Sequence, residues 1–84
     1  MATVAELEPG DVVSQGTESA LFVTQTVHPI FPRLRLVIWQ LGGGGWSFDA
    51  LDARQEVGDV LPADVEQRQG RLRAALLGED ASDD

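Results

Sequence analysis

The chain has 84 residues, with fourteen Asp and Glu against six Arg and no Lys, so its formal charge is −8. Length allows one domain. Hydrophobic residues make up 43%, enough for a packed core and too many for a fully disordered chain. Cysteine is absent, which excludes disulfides, thiolate metal sites and thiol nucleophiles.

Residues 1–8 read as an acidic lead with weak apolar content. Pro9-Gly10-Asp11 is a turn, and Val12-Val13 opens the first strand. Residues 14–18 read as a loop, and the β-branched run from Ala20 to Val27 as the second strand. His28-Pro29-Ile30-Phe31-Pro32 cannot continue a ladder, because its two prolines remove backbone donors. Leu34 to Leu41 is the strongest strand. Leu34, Leu36 and Ile38 share one face; Arg35, Val37, Trp39 and Leu41 share the other. A strand apolar on both sides is central, or has one face at an interface.

Gly42 to Gly45 read as a hairpin turn into a further strand, Trp46-Ser47-Phe48-Asp49, whose two aromatics point one way and are expected to fill the core. Residues 50–56 are mixed and suit a turn, and Val57 to Leu61 a short last strand. Pro62 suits the start of a helix, Asp64 and Glu66 its first turns, and Gly78 its end. Val65, Leu72 and Leu76 form its apolar stripe. The chain then divides into a lead (1–8), a β unit (9–61), a helix (62–78) and an acidic tail (79–84).

These elements predict a mainly β fold, a small barrel of four to five strands with a C-terminal α-helix. The opening Pro9-Gly10-Asp11-Val12-Val13, with the later Leu36-Val37-Ile38-Trp39, Gly45-Trp46-Ser47-Phe48 and Val57-Gly58-Asp59-Val60, resembles SH3-like barrels, including the KOW-type modules, over residues 7–61. The resemblance implies a fold shared by translation factors, phage virion parts and peptide or small-ligand binders. It does not by itself assign a function. The chain departs from the KOW type in having no basic residues around its opening turn.

The charge argues against nucleic acid, which requires clustered cations, and against anionic membrane surfaces. The start of the chain has neither the basic nor the apolar stretch of a signal peptide, so a cytoplasmic protein is expected, or a virion protein if phage-encoded. Arg without Lys, with abundant Ala, Gly, Val and Asp, is what GC-rich coding gives, as in an actinobacterium or one of its phages.

No catalytic constellation is legible. His28 is the only imidazole, and nothing in the sequence brings it to Ser47 and Asp49. Asp49, Asp52, Glu56 and Asp59 lack the spacing of a calcium loop. The four glycines lead into a strand without Lys, unlike a phosphate loop. Neither metal nor cofactor is expected.

The most site-like patch combines Trp39 and Trp46, flanking the glycine turn at Gly43 and Gly44, with Arg33 and Arg35. The helix stripe Val65, Leu72 and Leu76 is the second candidate, as an interface. The expected function is a non-enzymatic protein-interaction or assembly module of the small phage-component kind. It would act on a protein partner or on copies of itself, since a domain this small gains apolar burial by oligomerising. Two other readings stand beside it: a protein that sequesters a nucleotide-like ligand, and an acidic mimic of nucleic acid.

Overall fold

The computed structural model describes residues 2–78, the Gln15 side chain apart. The predicted acidic tail lies outside the described residues. The element order is a 3-10 turn (η1, Val4–Glu6), β1 (Val12–Gln15), β2 (Glu18–Val27), β3 (Leu34–Leu41), β4 (Trp46–Asp52), β5 (Asp59–Val60) and α1 (Val65–Leu77). The fold is mainly β, as the sequence predicts. The five strands form one antiparallel sheet in the order β4-β3-β2-β1-β5. The sheet does not close on itself: β4 and β5 are its two edges. The arrangement is compatible with an SH3-like fold, but the expected barrel is an open sheet.

Register divides the side chains between two faces. On the inner face, Phe22 stands opposite Trp39, and Trp39 opposite Ser47. Val13 pairs with Ala20 and Val60, and Ala20 with Leu41. Phe22, Val37, Trp39 and Val13 form the core with Val4, Leu7 and Val57. The Phe22 and Trp39 rings meet edge to face at 5.5 Å. One extra residue, Val23, enters β2 where the register shifts between Phe22 and Thr24. The shift puts Phe22 inward and Thr24 outward, which is why simple alternation along β2 shows no clean apolar face.

The N-terminal lead is part of the core rather than a loose end. Val4 is 0% exposed. The segment lies along residues 53–57, with Val4 N–H donating to the Gln55 carbonyl at 2.9 Å and Val57 N–H to the Ala2 carbonyl at 2.9 Å. From the sheet, Gln25 Nε2 donates to the Val4 carbonyl at 2.8 Å. These bonds give the buried backbone of the lead the partners that burial demands.

On the outer face, Val12, Leu21, Gln40 and Trp46 form one row across four strands. Thr24, Ile38 and Phe48 form the next row, and Thr26, Leu36 and Ala50 the one after. Helix α1 lies at the β1–β2 side of this face. Its Arg71, Ala74 and Ala75 share a hollow with Val12, Leu21 and Gln40. The helix begins with a capping box in which Asp64 accepts from Gln67 N–H at 2.8 Å and the Gln67 side chain accepts from Asp64 N–H at 2.9 Å. It ends, as predicted, at Gly78 in the left-handed conformation.

The helix contributes no fully buried residue. The half-buried positions are Arg68, Gly70, Arg71, Leu72 and Ala75, whereas Val65 and Leu76 are exposed. At 100° per residue, the predicted stripe is centred about a quarter turn away from the face that meets the sheet. Leu72 belongs to both.

Candidate functional site

The structure distributes the predicted patch over separate places. Trp39 is a core residue on the inner face, 8% exposed. Trp46 stands on the outer face beside Gln40 and is 45% exposed. The two indoles therefore lie on opposite sides of the sheet and form no common stacking platform. The expectation that Trp46 and Phe48 fill the core is corrected as well, since Phe48 is 75% exposed. The reason is register: Ser47 opposite Trp39 commits Ser47, Asp49 and Leu51 to the inner face and the aromatics to the outer one.

Arg33 precedes β3 and the glycine turn follows it, so Arg33 and Gly43 are separated by roughly 25 Å of extended strand. The Arg33 side chain is bound to Asp52 at 3.1 Å, in an exposed pair. The Asp52 carboxylate is held below the usual range, first by the N–H of Arg54 and then by Arg33. Arg35 lies on the inner face opposite Leu51 and reaches Gln25 Oε1 at 3.5 Å; its Nε is buried without a hydrogen-bond partner. Gly43 and Gly44 are exposed in the hairpin, where Gly44 has a positive φ of 94° and donates to the Leu41 carbonyl at 2.8 Å. That conformation is the reason for a glycine at this position.

His28 has a structural task. Its Nδ1 accepts from the N–H groups of Ile30 and Phe31 at 3.0 and 3.1 Å, and its ring packs on Phe31. This holds the proline connector in shape. Among the described residues, no three His, Asp or Glu side chains gather as metal ligands would, and no helix is long and apolar enough to cross a membrane.

Two surfaces stand out instead. The first is the open part of the outer face, where Leu36, Ile38, Phe48 and Ala50 flank Thr24 and Thr26 around a shallow apolar depression. The helix flanks the Val12–Leu21–Gln40 row across a hollow and leaves this strip bare. By register its outward-pointing side chains carry no ionisable group, in a chain of charge −8; Asp49, from the other alternating set of β4, also lines the depression. β4, the strand carrying Phe48, is a sheet edge.

The second surface is a hollow of about 310 Å³ on the inner face, at the end the N-terminal lead does not fill. Trp39, Leu41 and Leu51 give its apolar floor; Glu18, Ser47 and Asp49 are among the polar groups around it. Sequence reading did not single out Phe48, Glu18 or Asp49 for these roles. The signal available was alternation along β4, which puts Ser47 and Asp49 on one face and Phe48 on the other, but nothing in the sequence says which face is covered.

Comparison with protein families, curated proteins and solved structures gave no match.

Proposed function

We propose that the protein is a non-enzymatic assembly module that pairs with a second copy of itself through the open outer face. The observation that carries this reading is the bare strip around Phe48. A large aromatic 75% exposed, next to Leu36, Ile38 and Trp46, is costly to leave in water. Summing the exposed parts of the strip gives roughly 500 Å² per copy, or about 1,000 Å² for a symmetric pair, the lower bound of specific interfaces. An identical strip is the occupant favoured by charge. Two chains of −8 repel over most of their surface, whereas of the residues that line this depression only Asp49 is ionisable. An assembly component of the phage virion type is the finer form of this reading, supported by size and composition. Nucleotide stacking between Trp39 and Trp46 is not favoured, because the two rings lie on opposite faces.

Sedimentation equilibrium tests the proposal. The expected result is a monomer–dimer equilibrium in the micromolar range that Phe48→Asp abolishes while the thermal midpoint stays within a few degrees. A wild-type chain that remains monomeric at several hundred micromolar overturns it.

A further inference from the structure

The free edge of β4 supports a contact beyond the face pairing, made by backbone groups rather than side chains. We propose that β4 also pairs antiparallel with β4 of a second copy, in a register centred on Phe48. The two contacts are separable, because hydrogen bonds at an edge lie in the plane of the sheet and a face contact is perpendicular to it.

The hydrogen bonds of the β3–β4 ladder fix which backbone groups are free. Leu41 N–H donates to the Gly45 carbonyl at 2.7 Å at one end, and Ala53 N–H to the Arg33 carbonyl at 2.8 Å at the other. Pairing between these ends runs one to one, without a bulge. The backbone groups of Ser47, Asp49 and Leu51 therefore face β3, and alternation turns the N–H and C=O of Trp46, Phe48 and Ala50 outward. No further strand pairs with them among the described residues. The opposite edge is blunted by its length, since β5 has two residues. β4 has seven and contains no Pro, Lys or Arg.

A second copy is the occupant because the strand is self-complementary in this register. With Phe48 opposite Phe48 across the two-fold axis, Trp46 falls opposite Ala50, large against small. All the outward N–H and C=O groups of the three residues are then satisfied in hydrogen-bonded pairs. The carboxylates avoid one another: Asp49 falls opposite Ser47 of the second copy, and Asp52 opposite Gly44. Centring on Asp49 instead sets two carboxylates directly opposite, where like charges destabilise. Centring on Ser47 sets Ala50 against Gly44, whose N–H is already given to the Leu41 carbonyl. Such bonds replace bonds to water and add little net free energy, so the edge contact follows the face pairing at higher protein concentration.

Disulfide trapping suits a weak contact, and the chain has no cysteine of its own. Full-length Ser47→Cys and Asp49→Cys chains are prepared separately, then mixed in a glutathione redox buffer. Both positions stand by register on the inner face, away from the face contact. In the proposed register, position 47 of one copy and position 49 of the other form a non-hydrogen-bonded pair with Cα atoms about 4.5 Å apart, within disulfide reach. Like positions are diagonal, at about 7–8 Å, and beyond that reach. The mixed dimer should therefore exceed either like dimer at least about tenfold. Ala50→Pro in both chains removes an outward N–H and no bond to β3, and should reduce the mixed dimer to the level of the like dimers. If that variant loses its fold, the comparison of mixed with like dimers still decides. Equal yields of mixed and like dimers, or no mixed dimer, overturn the edge pairing. The same result beside a wild-type dimer that Phe48→Asp abolishes leaves the face pairing standing.

Discussion

Gly10 and Arg68 meet backbone to backbone. A β-carbon on Gly10 would lie 2.5 Å from the Arg68 carbonyl oxygen and 2.6 Å from its Cβ. Gly10 also has a positive φ of 96°, and its carbonyl accepts from Arg71 Nη1 at 3.1 Å. The turn before β1 is thus the seat of the C-terminal helix, 58 residues further on by the difference of the two residue numbers. Gly10→Ala cannot keep both the turn and the seat. It should destabilise by about 2–4 kcal/mol, from left-handed strain together with a clash against backbone that cannot move aside. Because the helix buries no residue fully, it should detach before the sheet opens. Circular dichroism would then show a loss of helical signal at a lower urea concentration than the change in Trp39 fluorescence, read in a Trp46→Phe background.

The helix cap supplies an independent check on the same element. Asp64→Ala removes the acceptor for the Gln67 amide and should cost about 1 kcal/mol. Asp64→Asn, which keeps an acceptor, should recover most of it. Urea unfolding followed at 222 nm measures both.

Phe22 and Phe48 are chemically identical and should behave oppositely. Phe22 is fully buried against Trp39, so Phe22→Ala should cost about 3–5 kcal/mol of folding stability. Phe48→Ala removes a side chain that is mostly in water, and should cost within about 0.5 kcal/mol in the monomer. Its effect belongs to self-association. Chemical denaturation at low protein concentration gives the first pair of values and sedimentation the second.

Salt should strengthen the proposed pairing. Two copies of charge −8 repel through water, and raising ionic strength from about 50 to 500 mM screens that repulsion while apolar burial is unaffected or improved. The dissociation constant measured by sedimentation should fall over this range. A rise would mean that ion pairs, rather than the Phe48 strip, hold the copies together.

Two carboxylates tie stability to acid pH. Glu6 accepts from the Thr3 N–H and from its hydroxyl, each at 2.9 Å, and these bonds hold its pKa below the usual range. Asp52 is lowered by the Arg54 N–H and by Arg33. A carboxyl whose pKa is depressed by folding is protonated more readily in the unfolded chain. Its contribution is therefore complete above the ordinary carboxylate range and is lost as pH falls through the folded value. The wild-type urea midpoint, compared with that of a Glu6→Gln, Asp52→Asn double variant, should differ at pH about 6 and converge toward pH about 2–3. The comparison reduces the general relief of charge repulsion on acidification, which acts on both chains.

Much of the fold was legible in local chemistry. The span of β3, the glycine hairpin after it, the proline connector before it and the helix ending at Gly78 follow from β-branched runs, turn residues and capping. Less of the candidate site was. Trp39 and Trp46 are seven positions apart and flank one hairpin, which suggests proximity, yet pairing of Trp39 with Ser47 sends the indoles to opposite faces. Val4 reads as part of an acidic lead of weak apolar content, because one valine and one leucine among Ala, Thr and Glu give no periodic signal. It is buried by residues 53–57, which are about fifty positions away.

The sequence by itself determined part of the local menu: the main strands, the proline and glycine turns, the helix stop at Gly78 and a strongly acidic composition. Those properties depend on residues within a few positions of one another. The helix start, at Val65 behind an Asp64 cap rather than at Pro62, and the strand ends at Gln15, Glu18 and Asp52 came from the structure. The tertiary structure alone decided which face of each strand is covered. A strand carries two alternating sets of side chains, and β3 and β4 have apolar residues in both. Only the seating of the lead on the inner face, and of the helix on the Gly10 turn at one side of the outer face, put Trp39 in the core. The same seating left Phe48 in water and kept Glu18 and Asp49 beside an open hollow.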